Sequence, residues 1–332
     1  MPWQTPPVTQ PSSAELPTVD AAPGPVGPPA HAREGDAGRP LAGYAGLLGA
    51  LSLMWGSSYL FIKIGVETLP PLSLVLLRVL VGLAILLVVV ALRRTPLPRD
   101  PRTLGHLALL GAVNIAIPFW LIGWAEQRID SGLAGIIQST APFFTLVIAA
   151  AFVHDERVTR GRLAGIIIGF LGIVLLSVEN VADLGHPFGA ERLTGELAVV
   201  LSSLCYGIGS TYARRNLRTT RPLVLAVGQV GWSAVIVAGL VLLVDGRLVL
   251  PANPQAVLAV GWLGAVGTGF AYIVFFRLLT GWGPTRASLV AYLLPVVAVV
   301  LGVAVLGESI DAFFLAGAAL IVAGVWTVNR HG

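Results

Sequence analysis

Apolar residues form ten long runs along the chain, each bounded by charged residues, Pro or Gly. The runs cover roughly 43–66, 71–92, 104–126, 131–153, 161–179, 194–214, 222–244, 256–279, 285–306 and 309–329. A helix needs about 20 mainly apolar residues to cross a hydrocarbon layer of about 30 Å. The pattern therefore predicts an all-α integral membrane protein with ten transmembrane helices.

The composition agrees with a membrane protein, whose surroundings are the lipid bilayer, and does not indicate nucleic acid as a partner. Of the 332 residues, 55% are hydrophobic and 11% are charged, whereas about a quarter are charged in soluble domains. The net charge of +4 does not indicate nucleic acid, because the basic residues lie in short loops and form no stripe. No Cys or His pair has zinc-ligand spacing, and we expect no cofactor.

Residues 1–40 differ from the rest of the chain. They hold ten of the 23 prolines and no apolar run. Such a segment buries too little apolar surface to offset its chain entropy. We expect a disordered cytoplasmic tail.

The basic residues predict the orientation of the chain. Sixteen of the 21 Lys and Arg residues lie in the segment 1–40, in the loops after even-numbered spans or at the end of the chain. Only three lie in the remaining loops. Cytoplasmic loops carry the excess of Lys and Arg. We therefore expect a multi-pass protein with both termini in the cytoplasm.

The chain contains an internal repeat at an offset of 151 to 153 residues. The string WGSSYLFIK from Trp55 corresponds to YGIGSTYAR from Tyr206. Other matching pairs are Arg78/Gln229, Ala134/Ala287, Pro142/Pro295, Glu156/Glu308, Gly165/Gly317 and Gly172/Gly324. Each half, 41–181 and 192–330, contains five spans, so the second half must enter the membrane from the opposite side. Inverted-topology repeats of this kind build secondary transporters.

These strings carry a family resemblance. WGSSYLFIK, LPPLSLVLLR and APFFTLVIAAAFVHDER resemble the first half of an EamA-type member of the drug/metabolite transporter superfamily, and ASLVAYLLPVVAVVLGVAVLGE resembles the second. The resemblance implies ten helices in two inverted halves that move small metabolites across a bacterial inner membrane. The second copy has Gly207-Ile208-Gly209 where the first has Gly56-Ser57-Ser58, so hydroxyl contacts are expected from the first half only.

Two prolines mark the expected binding region. Pro142 and Pro295 lie centrally in spans 4 and 9, where each would release a carbonyl four residues back, at Gln138 and Ala291. Interrupted helices at matching positions of two halves indicate a transporter's binding site. The alternative is that both prolines only bend helices for packing.

Polar and aromatic residues near these positions could hold a solute. Trp120 and Tyr272 lie deep in their spans and are better candidates than Trp124, which is placed to anchor at an interface. The full predicted set comprises Ser58, Tyr59, Arg78, Asn114, Trp120, Gln138, Pro142, Tyr206, Tyr272, Tyr292 and Pro295.

Arg78 is the most deeply placed charge, about 10 Å into span 2 at 1.5 Å per residue. An ionisable residue inside a membrane is a functional candidate, and we expect Arg78 to set a positive field and meet a substrate carboxylate. Alternatively, its guanidinium turns outward to pair with Glu67 or Glu126. Lys63 could take part in coupling or gating, or simply reach the nearer interface.

The remaining charges and glycines suggest supporting roles. No acidic residue lies at mid-span, so proton coupling would fall to Glu126 or Glu67 at the outer rim, or to His106. Facilitated diffusion or exchange down a gradient fits the sequence at least as well. Glu156 and Glu308 are expected to cap spans 5 and 10. The stripe Gly161, Gly165, Gly169 suggests close helix packing or a homodimer contact.

These features favour a secondary transporter, an exporter of small metabolites such as amino acids or their derivatives. There is no GxxxxGK[ST] phosphate loop for ATP. The alternative is a membrane-embedded enzyme such as an acyltransferase, although no GxSxG or HExxH string occurs. We expect no enzymatic activity.

Overall fold

The computed structural model describes residues 41–152, 159–182 and 187–330, and the regular elements in those ranges are helices. Eight of them are long and apolar enough to cross a membrane, and Val290–Leu306 and Ala312–Val328 are shorter apolar helices. The predicted helical membrane fold is confirmed at this level, while crossing by the last two segments stays a prediction. The tail 1–40 and Glu156 lie outside the described residues.

The helical segments follow the predicted runs closely. They are α1 Leu41–Val66, α2 Pro71–Leu92, α3 Pro101–Ala125, α4 Ser131–Phe152, α5 Arg160–Ala182, α6 Pro187–Asn216, α7 Pro222–Asp245, α8 Pro254–Trp282, α9 Val290–Leu306 and α10 Ala312–Arg330. Proline stands in the first turn of several, where its missing N–H costs no hydrogen bond. The Asp100 carboxylate also caps α3 by accepting a hydrogen bond from Thr103 N at 2.7 Å.

Four of the described helices contain π-helical segments that the periodicity did not predict. Val241–Asp245 ends α7 and Gly302–Leu306 ends α9, whereas Ala112–Ala116 and Trp262–Phe270 lie inside α3 and α8. A π-helical turn inserts an extra residue per turn and redirects the neighbouring side chains, and such turns are frequent at functional sites. Asn114 and Thr268 lie in the two internal segments.

The two proline-containing helices differ from each other. In α4 the helix stops after Gln138 and resumes at Ala141, so an interruption beside Pro142 is observed. In α9, Pro295 lies inside the uninterrupted helix Val290–Leu301. The prediction of a matching interruption at Pro295 is wrong, because the turn lies earlier, at Ser288–Leu289.

Glycines bring α5 and α10 into close contact. A Cβ on Gly165 would lie 2.7 Å from Gly324 O, and one on Gly172 would lie 2.7 Å from Gly317 O. A Cβ on Gly169 would collide with the Phe143 ring. The predicted close helix packing is therefore confirmed for Gly165 and Gly169, and dimerisation stays a prediction.

Glu308 acts on a different helix from the one expected. Its Oε1 accepts hydrogen bonds from Ser131 N and Oγ, both at 2.7 Å, and its Oε2 accepts one from Gly132 N at 2.9 Å. The prediction that it caps span 10 is wrong. Instead it caps the first turn of α4, where the helix dipole favours a negative charge.

Candidate functional site

Arg78 is buried in the interior of the bundle, with 5% of its surface exposed. Its Nε donates a hydrogen bond to Thr268 Oγ1 at 3.0 Å, its Nη2 lies 3.5 Å from Gly267 O, and its Cζ lies 3.9 Å from the centre of the Phe119 ring. Among the described residues no carboxylate lies within ion-pair distance of it. The alternative of an outward-turned arginine paired with Glu67 or Glu126 is therefore wrong.

Thr268 is held in place to receive this hydrogen bond. Its hydroxyl donates to Leu263 O at 2.9 Å, five residues back, which fits the π-helical turn. The hydroxyl oxygen is thereby left to accept from Arg78. The π-helical turn thus positions the Thr268 hydroxyl, which is the only side-chain oxygen that accepts a hydrogen bond from Arg78 in the described structure.

Ser58 adjoins the arginine because Gly267 has no side chain. A Cβ on Gly267 would lie 2.7 Å from Ser58 Oγ and 3.6 Å from Arg78 Nη2. The Ser58 hydroxyl donates to Met54 O at 3.1 Å. We call Ser58, Arg78, Phe119, Gly267 and Thr268 the Arg78 cluster.

Three predicted tyrosines lie in the neighbourhood of this cluster. Tyr59, Tyr206 and Tyr272 all lie close enough to the Arg78 guanidinium to interact with it electrostatically. Tyr59 is 5% exposed and the other two are half-buried. The structure therefore brings together five of the predicted residues: Ser58, Tyr59, Arg78, Tyr206 and Tyr272.

A second polar contact joins α3 to α7. Asn114 Nδ2 donates to Gln229 Oε1 at 2.9 Å. A Cβ on Gly209 would lie 2.8 Å from Asn114 Oδ1. We call Asn114, Gly209 and Gln229 the Gln229 cluster.

The two clusters are built from counterpart positions. Ser58 and Arg78 correspond to Gly209 and Gln229 at an offset of 151. In each cluster, two helices of one predicted half meet a π-helical segment of the other half: α1 and α2 meet α8, and α6 and α7 meet α3. The first cluster is charged and the second is neutral.

The other predicted residues lie apart from these clusters. Gln138 Oε1 accepts from Ser202 Oγ at 2.7 Å between α4 and α6. The Tyr292 hydroxyl donates to Val325 O of α10 at 2.9 Å. Trp120 is 37% exposed, and its neighbour Phe119 contacts Arg78 instead, because successive residues of a helix point in different directions.

Lys63 and Glu126 lie together at the ends of α1 and α3. Lys63 Nζ donates to Glu126 O at 2.7 Å and to Ile129 O at 2.8 Å, so the ammonium group binds carbonyls of the turn that follows α3. The Glu126 side chain is completely buried, and neither carboxylate oxygen has a hydrogen-bond partner among the described residues. Glu126 directly follows α3, and its place at the outer rim of the membrane stays a prediction.

The predicted binding set omits Phe119 and Gln229. The repeat could have indicated Gln229 as a site residue, since it aligns with Arg78. No sequence feature indicated Phe119, because the apolar pattern of α3 does not distinguish it from Trp120.

A multi-helix membrane protein with polar side chains gathered in its interior is typical of membrane transporters. The chain belongs to the EamA-like transporter family, whose sequence profile matches residues 43–178 and 193–330. The resemblance inferred from the repeated strings is confirmed.

Curated relatives carry transporter names. The chain is 33% identical over 272 residues to the uncharacterized inner membrane transporter YedA of Escherichia coli K12, covering 80% of this chain and 84% of that protein. It is 28% identical over 290 residues to a Salmonella typhimurium protein named "probable amino-acid metabolite efflux pump", covering 84% and 92%. One crystal structure shares the fold, with a TM-score of 0.61 and 20% identity over 86% of this chain and 97% of the other.

Proposed function

We propose that the protein is a secondary transporter of the bacterial inner membrane that exports small metabolites, such as amino acids or their derivatives, by alternating access. The observation that carries the proposal is the buried Arg78, held between helices of both halves without a carboxylate partner among the described residues. Burial of an unpaired charge is costly. A bound anion would remove that cost.

The groups around Arg78 favour a carboxylate with an apolar body. A guanidinium presents five N–H donors in a plane that matches a carboxylate, and two of them are used within the described residues. Phe119 and the three tyrosines supply aromatic surface beside it. Amino acids and their derivatives combine these two features.

The paired clusters support an inverted repeat and alternating access. Counterpart residues of the two halves make counterpart contacts across the bundle, as two inverted halves require. The two segments matched by the family profile support the same division. Rocking of one half against the other would expose the Arg78 and Gln229 clusters to opposite sides in turn, with both termini in the cytoplasm.

Glu126 is the group that we assign to proton coupling. It is buried and without a hydrogen-bond partner in the described structure. The charged groups that interact with it are Lys63, Glu308 and Arg78. Protonation of Glu126 would therefore change the field at Arg78, while Lys63 holds the end of α3 in place.

The test compares fluxes in proteoliposomes after an untargeted comparison of metabolites released by cells with and without the protein. Arg78→Gln removes the charge and keeps a polar side chain. Charge-assisted hydrogen bonds contribute about 1.5–3 kcal/mol, so we expect flux of carboxylate-bearing compounds to fall about tenfold to a hundredfold. Flux of neutral compounds should change little.

Arg192→Gln is the matched control, because Arg192 is exposed and pairs with Asp130 at 3.7 Å, away from the Arg78 cluster. An equal loss for charged and neutral compounds in Arg78→Gln would mean that the arginine is structural. Chemical conversion of the released compounds by the purified protein would instead favour the membrane-embedded enzyme, against the transporter names of the relatives.

A further inference from the structure

A cleft of about 300 Å³ lies between α2, α7 and α8. None of the residues that line it belongs to the Arg78 cluster. Three arginines line it, Arg93, Arg221 and Arg277. Arg93 follows α2, Arg221 precedes α7 and Arg277 lies in the last turns of α8. Because α7 runs opposite to α2 and α8, the three guanidinium groups gather at one end of the bundle.

These arginines have no acidic partner among the described residues. All three are exposed, and the structure records no ion pair for them within ranges 41–152, 159–182 and 187–330. Three neighbouring positive charges repel one another unless an anion lies between them. Their positions also belong to the loops that the distribution of basic residues assigns to the cytoplasmic side.

The cleft continues from the arginines toward the middle of the bundle along apolar walls. On α2 its lining runs from Arg93 back through Val89 to Leu86, seven residues or about 10 Å along the helix axis. On α8 it runs from Arg277 through Phe276 to Tyr272, whose rings stack with centroids 6.0 Å apart. Charge at one end and apolar surface along the rest match an amphiphile that lies parallel to the helices.

Exposed apolar residues lie on α2 beside the lining positions. Val88 is 57% exposed and Leu92 is 79% exposed, and each lies one position before a lining residue, Val89 or Arg93. In a membrane these exposed side chains would contact acyl chains. A lipid beside α2 would therefore lie near the cleft.

We propose that this cleft binds an anionic phospholipid of the cytoplasmic leaflet, with its phosphate between Arg93, Arg221 and Arg277 and an acyl chain along the α2 and α8 walls. Basic pockets between transmembrane helices on the cytoplasmic side are suited to acidic head groups. The bound lipid would also pack against Tyr272, which lines the cleft.

The test uses the full chain purified in a neutral detergent and measures lipid binding by native mass spectrometry and thermal unfolding. The probes are phosphatidylglycerol, phosphatidylcholine with the same acyl chains, and inorganic phosphate. We expect saturable binding and a raised melting temperature with phosphatidylglycerol only. Each arginine near the membrane surface contributes about fivefold in affinity, so the combined variant Arg93→Gln, Arg221→Gln, Arg277→Gln should bind about a hundredfold more weakly.

The matched control is Arg99→Gln, Arg102→Gln, Arg218→Gln, which removes the same charge from exposed positions outside the cleft and should bind like the wild type. A second variant, Ile273→Trp, fills the apolar wall and leaves the arginines unchanged. It should also abolish the preference for phosphatidylglycerol.

Equal binding of both lipids, or an equal loss in the control variant, would overturn the proposal. Saturation by inorganic phosphate, unaffected by Ile273→Trp, would overturn it in favour of a free-anion site. The readouts do not require transport. A protein that transports without preferring phosphatidylglycerol would refute only the lipid site, and one that binds the lipid without transporting would refute only the proposed function.

Discussion

Arg78 and Gln229 illustrate how a single residue can distinguish two halves of similar architecture. Each lies on the second helix of its half and forms a hydrogen bond with a π-helical segment of the other half. Both amide groups of the Asn114–Gln229 pair are neutral, whereas the guanidinium is always charged. A substrate carboxylate would therefore be attracted to the first half and not to the second.

Glu126 gives a prediction at the same scale. Glu126→Gln keeps the shape of the side chain and removes its titration. We expect the variant to fold with an equal or higher melting temperature, because a buried carboxylate without partners is unfavourable. If Glu126 takes up the coupled proton, proteoliposome flux in the variant should no longer vary with an imposed pH gradient.

Glu67→Gln is the control for this prediction, because Glu67 is exposed and should keep the pH dependence of the wild type. A Glu126→Gln variant whose flux responds to pH as the wild type does would remove Glu126 from the coupling mechanism.

Single residues were predicted with mixed success, for a physical reason. Arg78 could be identified because a charge inside an apolar run is conspicuous whatever its neighbours are. The residues that contact Arg78 could not be identified, because they lie far from it in the sequence. Thr268 is 190 positions away and Phe119 is 41 positions away. Glu308 was assigned to the wrong helix for the same reason, since the cap at Ser131 lies 177 residues earlier.

At the scale of helices, the long apolar runs predicted the segments well. The length and hydropathy of a run depend on local sequence alone, and these set whether a segment can cross a membrane. The π-helical segments in α3 and α8 escaped prediction because a change from i−4 to i−5 hydrogen bonding leaves the apolar pattern almost unaltered.

The contact of α5 with α10 gives a prediction at this scale. A Cβ on Gly165 would lie 2.7 Å from a backbone oxygen that cannot turn aside. We expect Gly165→Ala to lower the free energy of unfolding by about 1–3 kcal/mol, as overpacking does, measured by thermal or chemical unfolding in detergent.

Gly239→Ala is the matched control, because a Cβ there would meet nothing within 4 Å. Alanine favours a helix over glycine by up to about 1 kcal/mol, so this variant should be as stable as the wild type or more so. Equal stability of both variants would contradict the close packing of α5 on α10.

For the whole molecule, the proposed inverted arrangement predicts that counterpart residues face opposite sides of the membrane. Thr68 and Thr219 correspond at an offset of 151, and both are exposed between helices. In a Cys205→Ala background, which removes the single native cysteine, an impermeant thiol reagent applied outside intact cells should label Thr68→Cys and not Thr219→Cys.

Opening the cells should make Thr219→Cys reactive, which shows that the reagent can reach that position. Labelling of both positions from the same side would refute the inverted repeat. Five helices, α2 to α6, lie between the two positions, so the experiment tests whether the chain crosses the membrane an odd number of times between them.

The difference in charge between Arg78 and Gln229 has a consequence for how the membrane voltage acts on the carrier. Moving a full elementary charge through a potential of 100 mV changes the free energy by about 2.3 kcal/mol. In the proposed transporter, whose counterpart residue is a neutral glutamine, the arginine would make reorientation of the empty carrier electrogenic, and an inside-negative voltage would favour the inward-facing state. A bound carboxylate cancels this charge, so the loaded carrier crosses without opposing the voltage, and the cell's own potential would return the empty carrier to collect the next solute.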